Sequence, residues 1–192
     1  MGDDSHSLDA IVARAAAEPD GFCCERAGTE HRLEIWGRLP ADWAGHLGLQ
    51  LFAAGVQVVA GDALRTQHGT WAAHFRLRAS DVDASLQHDF LTMARRAPRL
   101  VPPLPDPVVT ISATPCHESP GSVHAHVEGK DSIGLVTHVL AHFGRLGLQP
   151  RRFSIRTRGD RVEDWFWLEP NEAPSPGSAT RAPLQHDWQT HD

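Results

Sequence analysis

The stretch Lys130-Asp131-Ser132-Ile133-Gly134-Leu135 is where this chain can hold a small charged molecule. An alternating strand runs up to Gly129 and a helical pattern begins near Gly134. The N–H groups at such a helix start have no partners and attract an anion, by about 0.3–1 kcal/mol where exposed. Gly134 lets a ligand approach the backbone, Asp131 can meet an α-ammonium, and Lys130 adds positive charge. The same residues have a plainer reading of equal weight, in which Gly134 serves helix–sheet packing and Asp131 caps the helix.

Other reactive side chains give weaker patterns. His138 and His142 stand four apart on the helix that follows, a spacing that suits one metal ion, but no third ligand accompanies them. His124 and His126 alternate along a strand with Glu128 next, so they share a sheet face. Trp165 and Trp167 share a face in the same way. These four residues, His124, His126, Trp165 and Trp167, are assigned to a contact surface, because exposed aromatic pairs more often mark contacts than stay in water. No metal and no cofactor are expected. The pairs His88-Asp89, His186-Asp187 and His191-Asp192 lack the further ligands of a phosphohydrolase metal site. Cys23, Cys24 and Cys116 form neither a disulfide framework nor a zinc set and are expected to be inert.

The elements that must position these residues follow from an internal repeat. Gly37 and Gly55 are spaced like Gly129 and Gly147, which lie 92 positions later. Each first glycine follows a short alternating strand, Arg32–Trp36 or Val123–Val127. Each second glycine follows a helical pattern, carried by Trp43, Leu47, Leu51 and Ala54 or by Val136, Leu140, Phe143 and Leu146. Two strand-like runs come next in each copy, Val56–Gln67 with Thr70–Leu77 and Phe153–Arg158 with Arg161–Leu168. His68-Gly69 and Gly159-Asp160 mark the turns between them. The first copy continues into a helix over Asp81–Arg96 with Ser80 as its cap and Val82, Leu86, Phe90 and Met93 on one face. The proline-rich connector Pro98–Pro107 follows, and then Val108–Ser112 as a fourth strand. The second copy stops after its third strand, and Ser7–Glu25 is the candidate to complete it. Helices are expected on one sheet face only.

The residues Val127–Leu168 resemble an ACT domain. They read V-E-G-K-D-S-I-G-L-V, a helix ending R-L-G-L, and then F-S-I-R-T-R-G-D-R-V-E-D-W-F-W-L. The paired ACT domains of the uridylyltransferases that modify the nitrogen-signalling protein PII are the most similar group, over about residues 29–169. The family's Asp-Arg-Pro-Gly-Leu reads Asp131-Ser132-Ile133-Gly134-Leu135 here, and the first copy has Arg38–Trp43 without the glycine. No nucleotidyltransferase loop accompanies the resemblance. It implies an α+β chain of two ferredoxin-like (βαββαβ, ACT-type) units, the second incomplete at its C-terminal end. The expected domains are an N-terminal helix and strand at 1–28, ACT-like units at 29–115 and 116–170, and a disordered tail at 171–192. It also implies a non-enzymatic regulatory module that senses a small amino acid, often glutamine in that group, at an ACT interface. The alternative is a ligand-free dimerisation or protein-interaction module that works through the open sheet face.

Composition bounds the rest. The 192 residues are 41% hydrophobic and 22% charged, as in a globular protein. The net charge of −6 argues against a general grip on nucleic acid. No apolar run reaches the roughly 20 residues of a membrane-spanning helix, and the acidic opening MGDDSHS lacks a signal peptide's basic start. A cytoplasmic homodimer with a protein partner, bound neither to membrane nor to nucleic acid, is expected.

Overall fold

The computed structural model describes residues 4–79, 88–97, 108–116, 121–132 and 134–171, with side chains from Leu8 onward. It is an α+β protein. The elements are α1 (Asp4–Ala17), β1 (Gly21–Ala27), β2 (Glu30–Gly37), α2 (Trp43–Ala53), β3 (Val56–Arg65) and β4 (Trp71–Ala79). They continue with α3 (Phe90–Arg95), β5 (Val109–Pro115), β6 (Val123–Lys130), α4 (Leu135–Arg145), β7 (Leu148–Arg158) and β8 (Arg161–Pro170). The strands form one sheet in the order β1-β2-β4-β3-β7-β8-β6-β5, and every neighbouring pair is antiparallel. No helix is long and apolar enough to cross a membrane among the described residues.

The two halves meet along β3 and β7, where Ala60–Leu64 pair with Arg156–Arg152. Read outward from that seam, each half has the same succession of strands, and α2 and α4 occupy matching places after β2 and β6. The glycines that end α2 and α4, Gly55 and Gly147, both take positive φ (69° and 71°), as the stop of a helix at a left-handed residue requires.

A single core lies under α2, α3 and α4. Trp43 of α2 meets Trp71 edge to face at 5.5 Å, Phe75 stacks on Phe153 at 6.4 Å across the seam, and Phe153 reaches Phe166 at 6.1 Å. Aromatic burial therefore joins the halves as one body. α3 is held beside α2 by Gln50, whose Nε2 donates to the carbonyls of Met93 and Arg96 at 2.7 and 2.9 Å. Of the helix expected over Asp81–Arg96, Phe90–Arg95 is helical, and Asp89 is its cap, accepting from Thr92 N–H at 3.0 Å. Ser80, Val82, Leu86 and the connector 98–107 lie outside the described residues.

Three expectations about the edges are corrected. Val108–Ser112 does not close the first copy: β5 pairs with β6, and Val109, Ile111 and Ala113 pack on the core. Ser7–Glu25 does not complete the second copy: β1 pairs with β2 in a hairpin around Gly28 and Thr29. Helices are not confined to one face. α1 lies on the other face, with Leu8 and Ile11 against Trp36 and Ala72. The two strand corrections share one reason. A five-residue alternating run fits either open edge, and sequential strands with a short connection pair first because loop closure costs them least.

Candidate functional site

β6 ends at Lys130, and the chain turns through Asp131 and Ser132 into α4. Asp131 N–H donates to the Asp160 carbonyl at 2.7 Å, which fixes the loop against the β7–β8 turn. Gly134 precedes the first helical residue with φ 83°, a left-handed conformation that a residue with a Cβ resists. Leu135 N–H donates to the Ser132 carbonyl at 3.1 Å, and the first full-turn bond runs from His138 N–H to the Gly134 carbonyl at 3.1 Å. The amides of Val136 and Thr137 thus belong to the first turn, where α-helical N–H groups have no partner within the helix.

A cavity of about 50 Å³ lies at this turn, between the halves. Gly48, Phe52 and Gln57 line it from the first half, and Asp131, Ser132, Gly134, Thr137 and Asp164 from the second. The helices cross closely here, since a Cβ on Gly48 would come within 2.8 Å of Thr137 Oγ1. Gln57 Nε2 donates to Asp131 Oδ2 at 2.6 Å, so one hydrogen bond spans the two halves at the cavity wall.

Asp164 is the unusual group. It is 0% exposed on the helix-covered face of β8, between Val162 and Phe166. Its Oδ1 accepts the backbone N–H of Arg156 at 3.0 Å, whereas Oδ2 has no hydrogen-bond partner. Burial pushes its pKa up to about 7, and the charge of nearby Asp131 adds to the shift against the hydrogen bond from Arg156. Burial also raises Asp131, although the bonds from Gln57 and the Ser132 backbone oppose this. Ser132 Oγ and Thr137 Oγ1 are buried without partners too. Three buried polar atoms without partners lining one cavity are far from usual, because such groups are nearly always bonded.

Of the residues read from the sequence, Asp131, Ser132, Gly134 and Leu135 line this cavity. Ile133 lies outside the described residues. Lys130 does not line it: it is exposed, at the end of β6 and across from Arg161. Gln57, Thr137 and Asp164 were missed. Asp164 did leave a signal, since the alternation along β8 puts a carboxylate on the core-facing register.

His124, His126, Trp165 and Trp167 do come together, on the sheet face opposite α4. The His126 ring stacks on Trp165 at 4.8 Å, and His124 meets Trp167 edge to face at 6.0 Å. The Arg152 guanidinium sits 4.9 Å over Trp167. Burial lifts the thiols of Cys23 and Cys24 above their ordinary pKa, which suppresses the reactive thiolate.

No family model, curated protein or solved structure matches the chain.

Proposed function

We propose that the chain is a tandem ACT-type regulatory module that binds a small amino acid in the cavity between its halves and relays this to a protein partner. The buried Asp164, whose free Oδ2 lines a cavity at a helix start, is the observation that carries the reading. In this reading each half is a ferredoxin-like unit whose fourth strand, β1 or β5, precedes the other three in the chain. The ligand ammonium lies between Asp131 and Asp164, and its carboxylate faces the first-turn amides of α4, where the helix end favours an anion. The Leu135 N–H already bonds Ser132, so the carboxylate is read by Gly134, Val136 and Thr137. About 50 Å³ equals about three to five waters at roughly 10–15 Å³ each, so it takes an amino-acid head group and little more. Glycine, alanine and serine therefore rank ahead of glutamine. The role is binding rather than catalysis.

Thermal melting with each of the twenty amino acids tests this. One small amino acid should raise Tm with concentration, by the amount that binding only the folded state requires. Gly134→Val should abolish the shift, with some loss of stability because valine is strained at φ 83°. Asp131→Asn keeps the side chain's shape and should weaken binding about tenfold with little structural effect. A ligand bound equally well by both folded variants would place the site elsewhere.

A second reading, a dimerisation module, draws on Trp165 and Trp167, half-buried on a face that α1 covers only over the first half. If that face pairs two copies, sedimentation at high concentration should show twice the 21.0 kDa chain mass, and Trp165→Ala/Trp167→Ala should return the monomer. A wild-type monomer at every concentration would remove this reading.

A further inference from the structure

We propose that His126, Glu128 and Glu163 form a binding site for a first-row divalent metal ion of the zinc type, on the sheet face opposite α4. The donor atoms are already gathered. Glu128 Oε1 lies 3.6 Å and Glu163 Oε1 4.0 Å from His126 Nε2, and all three atoms are within 4.8 Å of one another. Those separations are too long for hydrogen bonds. They exceed the roughly 3.3 Å between ligands that a tetrahedral zinc site with 2.0–2.1 Å bonds implies. Small rotations of the two glutamate ends close the set around an ion.

The sheet holds the donors without help from loops. His126 and Glu128 project from one face of β6, and Glu163 lies directly across from Glu128 on β8. Like charges directly opposed destabilise an antiparallel pair. Among the described residues, the only ion-pair partner either glutamate has within 4.0 Å is His126. The histidine has a matching deficit, because its Nε2 is shielded from solvent and makes no hydrogen bond. Trp165 lies flat on the imidazole, 17° from parallel, and fixes the ring plane with Nε2 toward the carboxylates. A dication relieves the repulsion and supplies the nitrogen's missing partner in one step.

The first half shows that the fold does not call for these residues. At the place of Glu128 and Glu163 it has Trp36 opposite Ala72, packed under Leu8 and Ile11 of α1. One half thus covers this spot with a helix, while the other arrays two carboxylates and a histidine there. A mixed nitrogen and oxygen donor set suits zinc, and three protein ligands leave a fourth position for water.

Calorimetric titration of the intact, chelator-treated chain with zinc chloride, repeated with cobalt(II) chloride, is the test. A single ion at micromolar affinity is expected, with cobalt quenching tryptophan fluorescence because Trp165 lies against a ligand. Glu128→Gln and Glu163→Gln should each lower zinc affinity at least about tenfold. Both variants should fold, since each removes a repulsion. Twelve of the chain's 13 histidines lie outside this site and can bind zinc elsewhere, so the glutamate variants decide. Zinc binding at wild-type affinity in the doubly substituted chain, or none in the parent, overturns the assignment.

Discussion

Asp164→Asn should stabilise the protein by about 2–4 kcal/mol at pH 8 and change little near pH 4. The folded-state pKa of about 7 stands above the ordinary 3.8, so the fold favours the neutral acid. The stability linked to this group is complete below pH 3.8 and is lost as pH rises through 7. Asparagine is neutral at every pH. Its carbonyl still accepts the Arg156 N–H. Urea unfolding of both proteins at pH 5 and pH 8 reads the difference, and equal differences at the two pH values would show that the carboxyl is not held neutral. The same group governs the proposed ligand. An ammonium between Asp131 and Asp164 favours two carboxylates, so binding should displace the Asp164 proton and tighten from pH 5 to pH 8. In Asp164→Asn that pH dependence should vanish and affinity should fall.

The sequence revealed the parts of this cavity that lie close together in the chain. Asp131 and Gly134 stand where a strand gives way to a helix, and local periodicity and a glycine suffice to find them. What it could not reveal is contributed by pairing. Gln57 reaches Asp131 because β3 and β7 join the halves, and nothing local to Gln57 announces that seam. Glu163 meets His126 only through the β6–β8 register, although His126 and Glu128 are visibly on one face. The edge strands were misassigned for a related reason. Val109, Ile111 and Ala113 form an apolar stripe suited to any strand with an open edge, and chain proximity, rather than pattern, chose β6. Leu8, Ile11, Val12 and Ala15 recur at helical spacing and share one buried face of α1. Which sheet face receives them depends on Trp36 and Ala72, whose register an alternating pattern leaves open.

The seam itself should be the most sensitive point of the fold. Asp62 on β3 pairs with Arg156 of β7 at 2.8 Å and faces His74 of β4 at 3.2 Å, on the face away from α2. Burial alone would raise its pKa, but the hydrogen bond from Arg156 and the polar contacts of His74 and Ser154 outweigh this and hold it at about 2. This contribution is present above pH 3.8 and is lost as pH falls through 2, the reverse of Asp164. Asp62→Ala leaves the Arg156 guanidinium without its carboxylate in a half-buried place. Breaking a buried pair from one side costs about 3–5 kcal/mol. Arg156 is 28% exposed and still donates to the carbonyls of Gly61 and Ile155, which brings the expected loss to about 2–4 kcal/mol. Arg156→Ala alone should also destabilise, and the double variant should lose less than the two single losses added together, since the second change removes the orphaned partner. Additive losses would mean that the pair does not act as a unit. Asp62 lies on the face away from the cavity, so any accompanying fall in amino-acid affinity must pass through the β3–β7 seam. Because Gln57 and Asp131 hold the cavity wall together across that seam, loosening it should weaken the proposed ligand site without removing a residue that lines it.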